Sequence, residues 1–267
     1  MLKKFCQIGI VPALLLITTP TLAAPVVRHA AGADPASIQA AVDGFRADLG
    51  GANNNVGNSF PNGRREINWD GVPDNFAAPN NLPPDFFNVN SPRGAVFQTP
   101  GEGFQVSANQ GVAPIEFDNI NPTYSSVFRT FSPQRLFTAL DSNVTEIIFF
   151  VPGTQTRATV SGFGAVFTDV DRRRSARIDY FDVNDRLLYS AFVPNVRRSN
   201  ESLSFLGVSF NQGERVYRVK ITSGNAPLNA RINEQRRVDL VVMDDFIYGE
   251  PQAIANPPAG EEMMEEE

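Results

Sequence analysis

The spacing of apolar positions changes period once along this chain of 267 residues. Ile38, Val42, Phe45 and Leu49 follow one another at intervals of four, three and four, which puts them on one stripe of a helix. Asp34 can cap that helix, and Pro35 suits its first turn, where a missing N–H costs nothing. A helix over 34–49 is therefore predicted, stopped by Gly50-Gly51 and docked by its stripe on the protein's own domain. From Arg64 onward no helical period of useful length remains. Short segments rich in Val, Ile, Phe and Tyr, punctuated by Gly, Pro, Asn and Asp, take over.

These segments predict strands at 66–69, 94–98, 104–107 and 114–117, then at 144–151, 158–167, 176–181 and 187–193, and last at 203–210, 216–222 and 238–248. In 217–222, Tyr217, Val219 and Ile221 alternate with Arg218, Lys220 and Thr222, the pattern of a strand with one buried and one wet face. Residues 147–151 are apolar throughout and are expected to be buried on both faces. Asp182-Val183-Asn184-Asp185 reads as a hairpin turn, and 70–92, rich in Pro, Asn and Asp, as a long ordered loop. Many strands without interleaved helices predict an all-β protein: an antiparallel β-sandwich of jelly-roll type with one N-terminal helix.

The first residues read differently. Lys3 and Lys4 precede an apolar run over 8–17, and Thr21-Leu22-Ala23 offers small residues for cleavage after Ala23. The run is shorter than the roughly 20 residues a membrane-spanning helix needs. The expected division is a signal peptide at 1–23, an extension at 24–63 carrying the helix, the sandwich at 64–250 and a disordered acidic tail at 251–267. This predicts a secreted protein, extracellular or periplasmic, without a transmembrane anchor.

Inventory then removes several chemistries. The single cysteine, Cys6, lies in the leader, so the exported chain has no thiol and no disulfide. The single histidine, His29, falls in a stretch expected to be flexible, which excludes Ser-His-Asp, Cys-His and multi-histidine zinc chemistry from the body. Of 23 basic side chains Lys3 and Lys4 leave with the leader, and the remaining 21 face 29 acids, five of them in the tail. No concentrated basic face suited to nucleic acid is apparent. Arg172-Arg173-Arg174, Arg197-Arg198 and Arg236-Arg237 each lie within two residues of Asp or Ser in a predicted turn, and are read as solvated loop charge rather than an anion site.

Four motifs, SGFGAVFTDVD (161–171), IDYFDVNDRLL (178–188), LSFLGVSF (203–210) and VVMDDFIYGEP (241–251), together with the segment 67–97, resemble a broad group of secreted bacterial β-sandwich domains. Some members of that group carry a C-terminal PEP-type sorting signal. Here the end after Pro251 has no apolar segment and no basic residue, its only charges being glutamates, so anchoring through such a signal is not expected. In the last motif Val241, Met243, Phe246 and Tyr248 can fill a core, while Asp244-Asp245 breaks the alternation.

The resemblance extends to jelly-roll modules that hold a structural calcium where early loops meet the final strand. It implies Asp70, Asp74, Asp118 and Asp245 as candidate ligands; the competing reading is that they cap turns or pair with arginines. Asp169-Val170-Asp171 and 182–185 lack the spacing of a calcium loop and are read as turns. Carbohydrate is the natural ligand class for an exported jelly roll. Phe86, Phe87, Tyr124 and Tyr189 are expected in the core, and Trp69, beside a loop, is the candidate ligand-binding aromatic. Glu116 and Asp118 sit at alternate positions, as a glycosidase pair could, but without an accompanying acid cluster. No catalytic set assembles. The expectation is a non-catalytic binding or structural module of the cell envelope or extracellular space, with a glycan or envelope protein as partner; the alternative is an enzyme acting on extracellular polysaccharide.

Overall fold

Two antiparallel sheets face each other across a core of phenylalanines, and the helix covers the outside of the larger one. The computed structural model describes residues 24–108, 115–211, 213 and 215–254; the signal peptide expected at 1–23, and the acidic stretch from residue 255, lie outside them. The chain opens with β1 (Val26–Gly32) and α1 (Pro35–Leu49), then β2 (Arg64–Ile67), the short α2 (Phe86–Val89), β3 (Ala95–Gln98) and β4 (Gly103–Val106). It continues with β5 (Phe137–Leu140), β6 (Val144–Phe149), β7 (Ala158–Thr159), β8 (Gly162–Thr168), β9 (Arg177–Phe181) and β10 (Leu187–Phe192). β11 (Leu203–Ser209), β12 (Arg218–Thr222), β13 (Val242–Gly249) and β14 (Gln252–Ala253) complete it. The larger sheet runs β1-β11-β8-β13-β5-β4, with β2 also on β13; the smaller runs β10-β9-β12-β6-β3, and β14 pairs with β7.

The fold is the expected all-β sandwich. Helix α1 starts where Asp34 accepts the Ser37 N–H at 2.9 Å, and Ser37 Oγ in turn accepts the Asp34 N–H, a reciprocal cap. Its stripe Ile38, Val42, Phe45 and Leu49 is buried against Val166, Leu203, Phe205 and Ile247 on the outer face of the larger sheet. That contact explains two glycines in the motifs. A Cβ on Gly164 would lie 2.8 Å from the Phe45 ring, and one on Gly207 would lie 2.7 Å from it. On alternate positions Phe163, Ala165 and Phe167 of β8 point into the inter-sheet core, so this strand is buried on both faces.

Several details differ from the pattern reading, among them the unpredicted strand β5. Residues 147–151 are not buried on both faces: Ile147 and Phe149 are buried, but Ile148, Phe150 and Val151 are half-buried, because no helix among the described residues covers the smaller sheet there. The strand expected at 114–117 is instead, over its described part, a 3₁₀ turn at Ile115–Phe117; Glu116 and Phe117 have φ of 50° and 70°, which no strand accommodates. His29 lies in β1, an unforeseen strand that pairs with β11 at the edge of the larger sheet. The start of the tail is also ordered, since Gln252 and Ala253 pair with Thr159 and Ala158.

The closing strand behaves as its residues suggest. Val241, Met243, Phe246 and Tyr248 all enter the inter-sheet core, and the register against β8 shifts between Met243 and Phe246. Asp244-Asp245 is that bulge, which lets odd and even positions face the same side. The pair is buried, at 0% and 3% exposure, rather than at a wet rim. No helix among the described residues is long and apolar enough to cross a membrane.

Candidate functional site

The residues expected to bind ligand or ion are taken up by the fold. Trp69 is 1% exposed; its indole stacks on Phe137 at 4.1 Å, meets Phe87 and Phe246 edge-on, and donates its N–H to the Asp244 carbonyl at 2.8 Å. It is a core residue and presents no face to a sugar ring. Phe86, Phe87 and Tyr124 are buried as expected, while Tyr189 is half-buried.

Three of the four aspartates meet around one loop. Asp70 Oδ1 accepts the N–H groups of Gln134 and Arg135 at 2.6 and 3.1 Å, and Asp74 Oδ1 accepts from the Arg135 guanidinium at 2.6 Å. Asp245 Oδ1 accepts the Ser132 hydroxyl at 2.6 Å, and its Oδ2 lies 3.8 Å from the Arg46 guanidinium. Asp118 stands with none of them: its Oδ1 accepts the Ser125 N–H at 3.0 Å, inside the Tyr124–Ser126 turn. Each thus has a partner of the turn-capping or arginine-pairing kind. Glu116, beside Asp118, is pushed up to about 7, first by burial and then by the charges of Glu201 and Asp118.

The structure gathers charge elsewhere, at one end of the sandwich. In an antiparallel fold, loops that follow alternate strands emerge at the same end. The β8–β9, β10–β11 and β12–β13 loops do so, and with the Tyr124–Ser126 turn they enclose an open cleft of about 1210 Å³. Arg172, Arg173, Arg197, Arg198, Arg236 and Arg237 line it, one pair from each loop. All six are exposed, and none forms an ion pair among the described residues. The three doublets are therefore one basic patch, which sequence reading missed by judging each in its own turn.

Two carboxylates, Asp171 and Glu234, line the same cleft, and the buried Asp169 lies close to both. One carboxylate oxygen each of Asp169, Asp171 and Glu234 lies within 4.8 Å of the others. Asp171 Oδ1 accepts the Ser199 N–H at 2.7 Å, and Glu234 Oε2 accepts the Leu240 N–H at 2.6 Å. Asp239 Oδ1 accepts the Asp171 N–H at 3.0 Å and so fixes the turn. Asp169 is different. It is 0% exposed, has φ of 69°, and neither carboxylate oxygen has a hydrogen-bond partner among the described residues. Burial, followed by the charges of Asp171, Glu234, Asp239 and Glu201, pushes it up to about 9. Glu234 is pushed up to about 7, again chiefly by burial. The Asp169-Val170-Asp171 triplet looks like turn chemistry in the sequence, and Glu234 reaches it only through the fold.

Such an end can hold an anion among its guanidiniums and offers hard oxygen donors beside them, while containing no thiol or imidazole. No protein-family model matches the chain, and comparison with curated proteins finds no similar one.

Proposed function

We propose that this is an exported, non-catalytic binding module whose arginine-rimmed cleft takes an anionic polysaccharide. The observation that carries the reading is the convergence of six arginines, free of ion pairs among the described residues, from three separate loops. Many arginines elsewhere are matched, as Arg28 is by Asp48, Arg46 by Glu66 and Arg218 by Asp185. Guanidinium groups grip carboxylates and sulfates through paired N–H donors. Asn195, Asn200, Asn233 and Gln235 line the same cleft and suit sugar hydroxyls. No aromatic side chain lines it among the described residues, so neither bases nor neutral pyranose faces have a stacking platform. Recognition by charge and hydrogen bonding favours a uronate or sulfated glycan over a neutral one. The leader supplies the export part of the proposal.

Binding measured against polygalacturonate, heparin, dextran and a DNA duplex tests it. Affinity for an acidic glycan, weak or no binding of dextran and DNA, and a loss of about tenfold or more in Arg197→Ser/Arg198→Ser and in Arg236→Ser/Arg237→Ser support the proposal. Binding of dextran or DNA as tight as that of the acidic glycans overturns the ligand class. Release of reducing ends overturns the non-catalytic part.

A further inference from the structure

We propose that Asp169, Asp171 and Glu234 hold a calcium ion at the cleft. The three carboxylates come from two distant stretches of chain, the end of β8 and the β12–β13 loop, yet present one oxygen each within 4.8 Å of the others. Calcium binds oxygen at about 2.3–2.6 Å, so two ligands of one ion lie up to about 5 Å apart, and one ion can span this set.

The second observation is independent of the clustering. Asp169 is fully buried, and both its carboxylate oxygens lack any hydrogen-bond partner among the described residues. An unsatisfied buried carboxyl is costly even when neutral, and more so when charged. Folded proteins leave few such groups, and those that persist call for an explanation. A cation among Asp169, Asp171 and Glu234 satisfies those oxygens and cancels the repulsion that otherwise sets Asp169 against Asp171, Glu234 and Asp239. Ser202, whose carbonyl accepts the Asp169 N–H at 2.8 Å, has a buried hydroxyl that also has no partner among the described residues. The site therefore offers oxygen only, which selects a hard cation over zinc or copper. Irregular placement on three loop carboxylates, with remaining positions open to water, suits calcium better than magnesium, which demands a near-ideal octahedron.

This inference does not rest on the anionic-glycan reading, since the carboxylates and the arginines are separate groups. Melting of the full chain is compared in EDTA, in CaCl₂ and in MgCl₂, without polysaccharide. At a calcium concentration about a hundredfold above Kd, the melting temperature rises by about 5–10 °C, and magnesium at equal concentration gives a smaller rise. Asp169→Asn abolishes the calcium shift while folding in EDTA at least as stably as the parent chain, because it removes a buried acid from an acidic cluster. Glu234→Gln, which keeps the oxygen facing the Leu240 N–H, serves as a second variant and reduces the shift. Equal melting temperatures of the parent chain in EDTA and calcium overturn the proposal. So does a calcium shift that survives in both variants but is lost in Asp245→Asn. Glycan affinities of the same samples separate the two readings: loss of the calcium shift with acidic-glycan binding intact removes only the ion site, and the reverse removes only the glycan.

Discussion

Arg65 on β2 and Glu250, just beyond β13, form an ion pair shut off from water, with side chains 0% and 1% exposed. Nε and Nη2 donate to the two carboxylate oxygens, each at 2.7 Å. The remaining guanidinium donors reach the Val56 and Asn58 carbonyls, and Glu250 also accepts from Asn54 Nδ2 and the Phe60 N–H. The glutamate of the last motif is thus the latch that folds the 54–60 stretch onto the sandwich. Glu250→Ala leaves a buried guanidinium uncompensated and is expected to cost about 3–5 kcal/mol. Chemical denaturation reads this directly, and proteolysis should first cut within 54–60. A loss below about 1 kcal/mol would show that the pair is not what holds the loop.

Trp69 separates a core role from a ligand role. Trp69→Phe keeps an aromatic ring beside Phe137 but removes the N–H that reaches the Asp244 carbonyl, with an expected cost of about 1–3 kcal/mol. Glycan affinity, measured on the fraction that remains folded, should not change. A weakened affinity at undiminished stability would return Trp69 to the binding surface.

Gly164 and Gly207 face each other across β8 and β11 beneath the Phe45 ring. Gly164→Ala is expected to destabilise by about 1–3 kcal/mol through overpacking. The loss should shrink in part when it is combined with Phe45→Leu, which removes one close contact of the added methyl and leaves those to the Gly207 Cα at 2.9 Å and the Phe205 ring at 3.0 Å. A double-mutant cycle checks the coupling; strictly additive losses would mean that the helix does not constrain these glycines.

Asp244 gives the protein a pH-dependent stability. It is fully buried, its Oδ2 accepts the N–H groups of Phe131 and Ser132 at 2.6 and 3.2 Å, and burial followed by the charge of Asp245 pushes it well above its ordinary value of 3.8. A raised carboxyl favours the folded state while both states keep the proton. As pH climbs past the ordinary value, the unfolded chain releases that proton first and stability falls. Asp244→Asn keeps the acceptor and cannot ionise. Its melting temperature should therefore gain on that of the parent chain between pH 4 and pH 8, as thermal melts across that range would record. A constant difference would show that Asp244 ionises without penalty.

The sequence by itself determined the elements whose signal is local. The stripe from Ile38 to Leu49 with its Asp34 cap, the polar turn at 182–185 and the alternation of β12 need only neighbouring residues to be read, and all three stand in the structure. Together with the absence of any helical period after Arg64, they carried the all-β class. Local reading failed where burial or backbone comes from distant partners. Whether 147–151 is covered on one face or two depends on whether a helix lies over that sheet, and α1 lies over the other one. Trp69 borders a loop in sequence and becomes core only because Phe137 and Phe246 close around it.

The candidate site shows the same division more sharply. Each arginine doublet and the Asp169–Asp171 pair could be seen, but each was weighed within its own turn, where solvated charge and turn capping are sufficient accounts. The alternation of antiparallel strands carries the loops after β8, β10 and β12 to a single end, which sums three weak charges into one patch and places Glu234 beside a carboxyl from another loop. Only tertiary structure decides that Asp169 is buried without a hydrogen-bond partner among the described residues, because that depends on everything packed around it.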